Sequence, residues 1–144
     1  MSKFKYYSSN ITELKDNQIF VFGSNLAGRH GKGAALTAAK KFNAKHGVGL
    51  GLTGDCYAIP TKDQRLNTLS LFSIENYIFF FNQCCENNPD FEFLVTKIGC
   101  GLAGYSDEQI VPLFLDSPDN CVFHEDWRKY IEYKKISLRI RSNN

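Results

Sequence analysis

The placement of the glycines constrains this chain more than any other feature of its sequence. Of 11 glycines, eight lie between residues 23 and 54, three lie between residues 99 and 104, and the rest of the chain has none. Glycine is used where φ must be positive or where the backbone approaches another group closely. Two such regions predict two loops with special backbone geometry, and loops of this kind often carry function.

Each glycine region follows a strand pattern and precedes a helix pattern. The short apolar run at residues 19–22 is typical of a strand buried on both faces, and residues 34–42 are rich in helix formers. Residues 91–98 again favour a strand, and Ser106 with Gln109 forms a capping box, which predicts that a helix begins there. Both regions are therefore predicted to consist of a strand, a glycine loop and a helix.

The other segments continue this alternation of strands and helices. Residues 56–60 predict a strand that ends at Pro60, residues 73–87 predict a helix, and residues 121–123 predict a short strand. Pro112 predicts that the helix after the capping box is short or kinked. The pattern predicts an α/β protein with helices layered around a mostly parallel or mixed sheet.

Length and composition exclude several classes of protein. The chain has 144 residues, 43% of them apolar, which fits one domain with its own core and excludes a disordered chain. It contains no apolar run long enough to span a membrane and no apolar signal segment near its N-terminus. Its five cysteines include no C-x-x-C pair, which argues against a disulfide framework or a zinc site. We expect a single cytoplasmic domain over residues 1–144, without a metal, a cofactor or a membrane partner.

Positive charge is concentrated near the C-terminus. Residues 124–144 contain 6 Lys and Arg against 3 Asp and Glu, whereas residues 1–123 contain 11 against 12. This basic extension has two interpretations: contact with a nucleic acid, or packing as a helix and an edge strand in which apolar and charged residues alternate. The residues concerned are Lys134, Lys135, Ile136, Leu138, Arg139, Ile140 and Arg141.

Two glycine-rich segments resemble nucleotide-binding motifs but lack the features that those motifs require. Residues 49–54 match G-x-G-x-x-G, but the dinucleotide-binding motif needs a strand before it and a helix after it, and here the order is reversed. We interpret residues 49–54 as a flexible loop that flanks a ligand. Residues 28–33 lack the glycine spacing of a triphosphate-binding loop and its Ser or Thr after the lysine.

Two loops remain at the carboxyl ends of two strands, each leading into a helix N-terminus. Free backbone N–H groups and the positive end of the helix dipole favour a phosphate at such a position. Two loops of this kind predict a nucleotide-like ligand. The alternative is that the glycines serve tight packing only.

Three segments resemble the macrodomain family of ADP-ribose-binding modules: HGKGAALTAAKKF at residues 30–42, AIPTK at residues 58–62 and IGCGLAGY at residues 98–105. The likeness covers about residues 8–123. It is greatest to the glycohydrolase branch, which contains the antitoxin partner of DNA-ADP-ribosylating toxins and the terminal ADP-ribose protein glycohydrolase. The resemblance implies a three-layer α/β/α fold with a central mixed sheet, and a bacterial or phage origin.

The same resemblance implies a set of ligand contacts. The two glycine loops would hold the diphosphate, and Asn25 would lie near the distal ribose. Asn10 stands where many members carry an aspartate near the adenine, and outside the family it would be a turn residue. The implied ligand-binding residues are Asn10, Ile11, Gly23, Ser24, Asn25, Gly31, Lys32, Gly33, Ala34, Gly99, Cys100, Gly101, Leu102, Ala103, Gly104 and Tyr105.

In that branch the lysine of the second segment attacks the anomeric carbon of the distal ribose, assisted by a carboxylate. The corresponding residue is Lys62, which without the resemblance would be a solvated loop lysine. The position directly after GCGL, where the branch carries its carboxylate, is Ala103, so Asp107 is the first substitute and Asp63 the second. For Cys100 we favour a small residue whose backbone N–H matters over a nucleophile.

The implied function is binding of ADP-ribose and its hydrolytic removal from ADP-ribosylated DNA or protein. Two alternatives stay open. One is a phosphatase that acts on ADP-ribose 1″-phosphate. The other is a non-catalytic module that binds ADP-ribose or a related signalling nucleotide.

Overall fold

A computed structural model describes residues 3–133, which form a six-stranded sheet with helices on both faces. The strands are β1 (Lys5–Tyr7), β2 (Gln18–Asn25), β3 (Gly51–Thr53), β4 (Cys56–Lys62), β5 (Glu92–Val95) and β6 (Cys121–His124). The helices are α1 (Gly33–Lys41), α2 (Leu71–Asn87) and α3 (Asp107–Ile110), with 3-10 helices at Val111–Phe114 and Glu125–Trp127. Residues 128–133 are also helical.

The sheet is mixed and its strand order is β1-β6-β5-β2-β4-β3. All neighbouring strands are parallel except β3, which runs antiparallel to β4. Because β5, β2 and β4 are parallel neighbours, their carboxyl ends lie at one edge of the sheet. The segments that follow these three strands therefore meet at that edge.

The two faces of the sheet carry separate apolar clusters. Ile19 and Val21 of β2 pack in the cluster beneath α2, whereas Phe20 and Phe22 pack in the cluster beneath α1. This alternation follows from the two-residue period of a strand, and it explains why β2 is apolar at every position from 19 to 22. Helix α2 confirms the predicted helix and buries Ile74, Ile78, Phe81 and Cys85, which lie three or four residues apart on one face.

The capping box at the start of α3 is confirmed. Ser106 Oγ accepts a hydrogen bond from the Gln109 backbone N–H at 3.3 Å, and Gln109 Oε1 accepts one from the Ser106 N–H at 2.9 Å. Helix α3 ends at Ile110, and the chain tightens into a 3-10 turn that contains Pro112. The predicted short helix follows from proline's missing N–H group and its fixed φ.

Strand β4 does not end at Pro60, as we predicted, but continues to Lys62. Strand β3 pairs with β4 only at residues 56–58, so Pro60 has a neighbouring strand on one side, where it lies opposite Ser24 of β2. A proline without an N–H group is tolerated in a strand at such an edge position. The extension brings Lys62 opposite Asn25 at the end of the sheet.

The interpretation of residues 49–54 as a flexible loop is wrong. Residues Gly51–Thr53 form β3, because their backbone groups pair with the open edge of β4. Gly49 packs directly on the backbone of Asn25, where an added Cβ would lie 1.9 Å from the Asn25 carbonyl oxygen. This segment therefore packs against the end of β2 and supports it.

The C-terminal extension is described only in part. Residues 128–133 are helical, with Ile131 buried in the cluster beneath α2. The predicted edge strand and nucleic-acid contact of residues 134–144 lie outside the described residues. Within residues 3–133, none of the helices has both the length and the apolar character needed to cross a membrane.

Candidate functional site

The carboxyl ends of β2, β4 and β5 surround a cavity of about 530 Å³. This volume is in the range that small-molecule sites occupy. The cavity is lined by residues 23–25, 29, 31–35, 61, 62, 66, 96–99 and 101–103. Both glycine regions thus contribute to one cavity, as their positions after neighbouring strands predict.

Most of the predicted ligand-binding residues line this cavity. They are Gly23, Ser24, Asn25, Gly31, Lys32, Gly33, Ala34, Gly99, Gly101, Leu102 and Ala103, together with Lys62. Seven lining residues were not predicted: Arg29, Ala35, Thr61, Leu66, Thr96, Lys97 and Ile98. Three of them, Ala35, Thr61 and Ile98, directly adjoin a predicted residue, so proximity in the chain was the signal that could have identified these three. The other four do not adjoin a predicted residue.

Other predicted residues do not line the cavity. Asn10 is exposed, and Ile11 packs against the apolar cluster beneath α1. Cys100 and Tyr105 line a neighbouring cavity, and the Tyr105 hydroxyl donates a hydrogen bond of 2.6 Å to the Leu69 carbonyl. Gly104 is also absent from the lining residues. Its N–H group donates to the Gly101 carbonyl at 3.0 Å, which closes the second loop on itself.

Helix α1 begins at the cavity, and its N-terminus has no side-chain cap. Its N-cap, Lys32, has an extended backbone and makes no side-chain cap, and the first turn contains no acidic residue. Gly33, Ala34 and Ala35 line the cavity, and the first N–H group bonded back into the helix is that of Leu36. The free N–H groups and the helix dipole together form a site that favours an anion.

The second loop presents a further set of backbone N–H groups. In the described part of the chain, the amides of Gly101, Leu102 and Ala103 donate no backbone hydrogen bond, and all three residues line the cavity. The loop turns at Gly99, which has φ +80°, and an added Cβ there would lie 2.7 Å from Ile110 Cδ1. Only glycine fits this combination of a left-handed backbone and close packing.

The charges around the cavity are positive. Arg29, Lys32, Lys62 and Lys97 line it, and among its described lining residues there is no carboxylate, imidazole or thiol. Within residues 3–133 only Lys97 of these four forms an ion pair, to Asp126 at 2.9 Å. Three cations are therefore left for a ligand, which favours a polyanion.

Lys62 and Asn25 lie side by side at the end of the sheet. They are partners in the parallel register of β2 and β4, and the Leu26 N–H group donates to the Lys62 carbonyl at 3.0 Å. The Asn25 side chain accepts from the Arg29 N–H at 3.0 Å and donates to the Arg29 carbonyl at 2.9 Å. Asn25 thereby holds the first loop, and one of its amide hydrogens stays available for a ligand.

Neither predicted carboxylate lies in the lining of this cavity. Asp107 Oδ1 accepts a hydrogen bond of 2.9 Å from the indole N–H of Trp127, and Asp107 lines the neighbouring cavity. Asp63 Oδ1 accepts from the backbone N–H groups of Arg65 and Asn67 at 2.9 Å each, so it builds the turn after β4. Both carboxylates therefore accept hydrogen bonds that stabilise the surrounding structure.

Cys100 is predicted to be unreactive in the folded protein. Burial and, to a smaller extent, the nearby Asp107 carboxylate together raise the pKa of its thiol to about 12. The thiolate forms only as the pH approaches this value, so at pH 8 about one thiol in 10⁴ is ionised. We expect iodoacetamide at pH 8 to label Cys100 at less than about a hundredth of the rate for free cysteine, measured by peptide mass spectrometry. Rapid labelling of native protein would contradict this environment.

Within residues 3–133 no three His, Cys, Asp or Glu side chains are grouped as metal ligands. The charged groups that line the cavity are three ammonium groups and one guanidinium, which bind anions. The site is therefore suited to a phosphorylated ligand by direct contact.

The sequence matches no protein-family model and has no significant match among curated proteins. Its structure is similar to the macrodomain of Mycobacterium tuberculosis DarG, with a TM-score of 0.61, 18% identity, and coverage of 84% of this chain and 96% of that one. The chain has a macrodomain-like fold. The likeness confirms the predicted three-layer α/β architecture.

Two further structures have similar folds. One is a protein of unknown function from Bacteroides thetaiotaomicron, with a TM-score of 0.60, 15% identity, and coverage of 84% of this chain and 96% of that one. The other is an alphavirus protein described as P23pro-zbd, with a TM-score of 0.63 and 15% identity. That match covers 99% of this chain and 24% of the viral one. At these identities the comparisons support the macrodomain-like fold alone.

Proposed function

We propose that the cavity binds ADP-ribose and that the protein hydrolytically removes ADP-ribose from a modified macromolecule. One observation carries the binding proposal. The uncapped N-terminus of α1 and the amides of residues 101–103, which donate no backbone hydrogen bond among the described residues, face the same cavity. Three cations that form no ion pair within residues 3–133 also line it. A diphosphate satisfies all of these groups at once.

The ligand's orientation follows from where these groups lie. The diphosphate contacts the first turn of α1 and the second loop, with Lys32 beside it. The distal ribose then extends toward Asn25 and Lys62 at the end of the sheet. This orientation agrees with the ribose contact that the resemblance implies for Asn25.

The proposed reaction begins when the neutral amine of Lys62 attacks C1″ of the distal ribose. A bond forms between Nζ and C1″, the bond from C1″ to the modified group breaks, and the departing group takes the proton that Nζ loses. One water molecule then hydrolyses the adduct, which releases ADP-ribose and restores the amine. Binding of the diphosphate positions C1″ beside Nζ, and this positioning contributes to the rate.

A second candidate function is favoured because the described lining of the cavity contains no carboxylate. A module that only binds ADP-ribose needs the anion-binding loops and no acid or base, and the described lining of the cavity has this composition. Micromolar affinity for ADP-ribose with no release from ADP-ribosylated DNA or protein over several hours would favour this module.

Calorimetric titration with ADP-ribose tests the shared binding step. We expect the Lys32→Ala variant to bind about tenfold more weakly than the wild type, because it loses one charge-assisted contact to phosphate. Lys41→Ala, which removes an exposed lysine from the last turn of α1, is the matched control and keeps the wild-type affinity. No heat of binding with the wild-type protein would remove both candidate functions.

A further inference from the structure

Two partly exposed leucines lie at the end of the cavity near Lys62. Leu66 is 41% exposed and Leu102 is 67% exposed, and both line the cavity. Among the described lining residues the other large apolar side chain is Ile98, which is buried. The diphosphate contacts proposed above use the backbone amide of Leu102 but neither leucine side chain.

The backbone holds Leu66 in place at an energetic cost. Lys62 and Thr68 pair across a tight hairpin, and Asp63 accepts two backbone hydrogen bonds inside its turn. Leu66 has φ +67°, a left-handed conformation that costs a leucine about 1–2 kcal/mol relative to glycine. Core packing does not explain this residue, because the side chain lies over the cavity. Strained residues of this kind cluster at ligand sites.

The second leucine is tied to the same hairpin. Thr68 Oγ1 donates a hydrogen bond of 3.1 Å to the carbonyl of Ala103, the residue after Leu102. The tip of the second loop and the hairpin that follows Lys62 are therefore connected directly. Leu66 in this hairpin and Leu102 in the second loop both line the cavity, as does Lys62.

We infer that Leu66 and Leu102 form a subsite for the group bonded to C1″ of ADP-ribose, and that this subsite selects an uncharged group with an apolar face. The inference rests on the proposed function, since it takes Lys62 as the residue beside C1″. A charged group on C1″, such as a phosphate, gains nothing from leucine side chains and loses part of its hydration beside them. Covering about 60 Å² of apolar surface corresponds to about a tenfold gain in affinity.

The test compares free ADP-ribose with its 4-nitrophenyl glycoside, which carries an aromatic ring on C1″. Titrations use the Lys62→Arg background, so that the glycoside is not consumed. We expect the glycoside to bind about tenfold more tightly than ADP-ribose. In Leu66→Asn this gain is expected to fall below about twofold, with the affinity for ADP-ribose unchanged. In Leu102→Ala the gain over that variant's own affinity for ADP-ribose is expected to fall likewise. Asparagine tolerates the left-handed backbone, so Leu66→Asn keeps the turn.

Leu52→Ala is the matched control, because Leu52 is 53% exposed on β3 and does not line the cavity. It is expected to keep the full gain. A glycoside that binds no more tightly than ADP-ribose, or a gain that survives both cavity variants, would overturn the subsite. So would ADP-ribose 1″-phosphate that binds as tightly as the glycoside. Absence of ADP-ribose binding would instead refute the proposed function on which the subsite rests.

Discussion

Lys62→Ala is expected to reduce the release of ADP-ribose from modified DNA or protein by at least about 10³-fold, because it removes the proposed nucleophile. Lys62→Arg is expected to cause a similar loss while keeping the affinity for ADP-ribose within about threefold. A guanidinium keeps the positive charge but does not deprotonate to attack C1″. The measurement is single-turnover release, followed by chromatography of free ADP-ribose, with binding measured separately.

Trapping provides an independent readout of the same step. The adduct between Nζ and C1″ opens its ribose ring to an imine, which cyanoborohydride reduces to a stable amine. Wild-type protein is therefore expected to gain the mass of one ADP-ribosyl group plus two hydrogens on the peptide that contains Lys62. Lys41→Ala serves as the control and retains both release and trapping. If Lys62→Arg releases ADP-ribose at the wild-type rate, Lys62 is not the nucleophile.

Gly49→Ala is expected to destabilise the protein by about 3 kcal/mol and to lower its Tm by about 10 °C. The new methyl group would lie 1.9 Å from the carbonyl oxygen of Asn25 and 3.2 Å from the Gly28 nitrogen. Since these are backbone atoms, the end of β2 must shift to accommodate the methyl group. The same shift moves Asn25 away from Lys62, so the affinity for ADP-ribose is expected to fall as well.

Gly31→Ala separates these two effects. An added Cβ at Gly31 meets no heavy atom within 4 Å, and Gly31 does not have a positive φ. The free energy of unfolding of the Gly31→Ala variant is therefore expected to stay within about 0.5 kcal/mol of the wild-type value. Gly31 lines the cavity, so ADP-ribose binding is still expected to weaken. Thermal unfolding with calorimetry measures both quantities, and a wild-type Tm for Gly49→Ala would refute the steric argument.

The assisting carboxylate shows how far a local pattern can be trusted. Asp107 follows the second loop in the chain and is predicted to reach the ligand, but it accepts a hydrogen bond from Trp127 instead. The two residues are 20 positions apart, and no pattern around Asp107 indicates this pairing. A carboxylate next to a glycine loop can face either the ligand or a neighbouring part of the protein. The position of Trp127 decides between these two orientations for Asp107.

Local chemistry made several elements predictable. The capping box at Ser106 and the four buried positions of α2 depend on residues three or four apart, which meet within one helix turn. Strand β2 was predictable because it is apolar on both faces. Strand β3 was not, because Gly51–Thr53 has little strand propensity of its own and is extended by pairing with β4.

The sequence by itself determined that strands alternate with helices and that each of the two glycine loops follows a strand and precedes a helix, because periodicity, caps and glycine positions act over a few residues. Only the tertiary structure decided which side chains share the cavity. Lys62 meets Asn25 through the register of β4 on β2, where Thr61 and Ser24 are also joined across 37 positions of the chain. The same long-range packing leaves Arg29, Lys32 and Lys62 around the cavity and draws Asp107 to Trp127. Such contacts depend on how whole elements pack, which no short segment of sequence encodes.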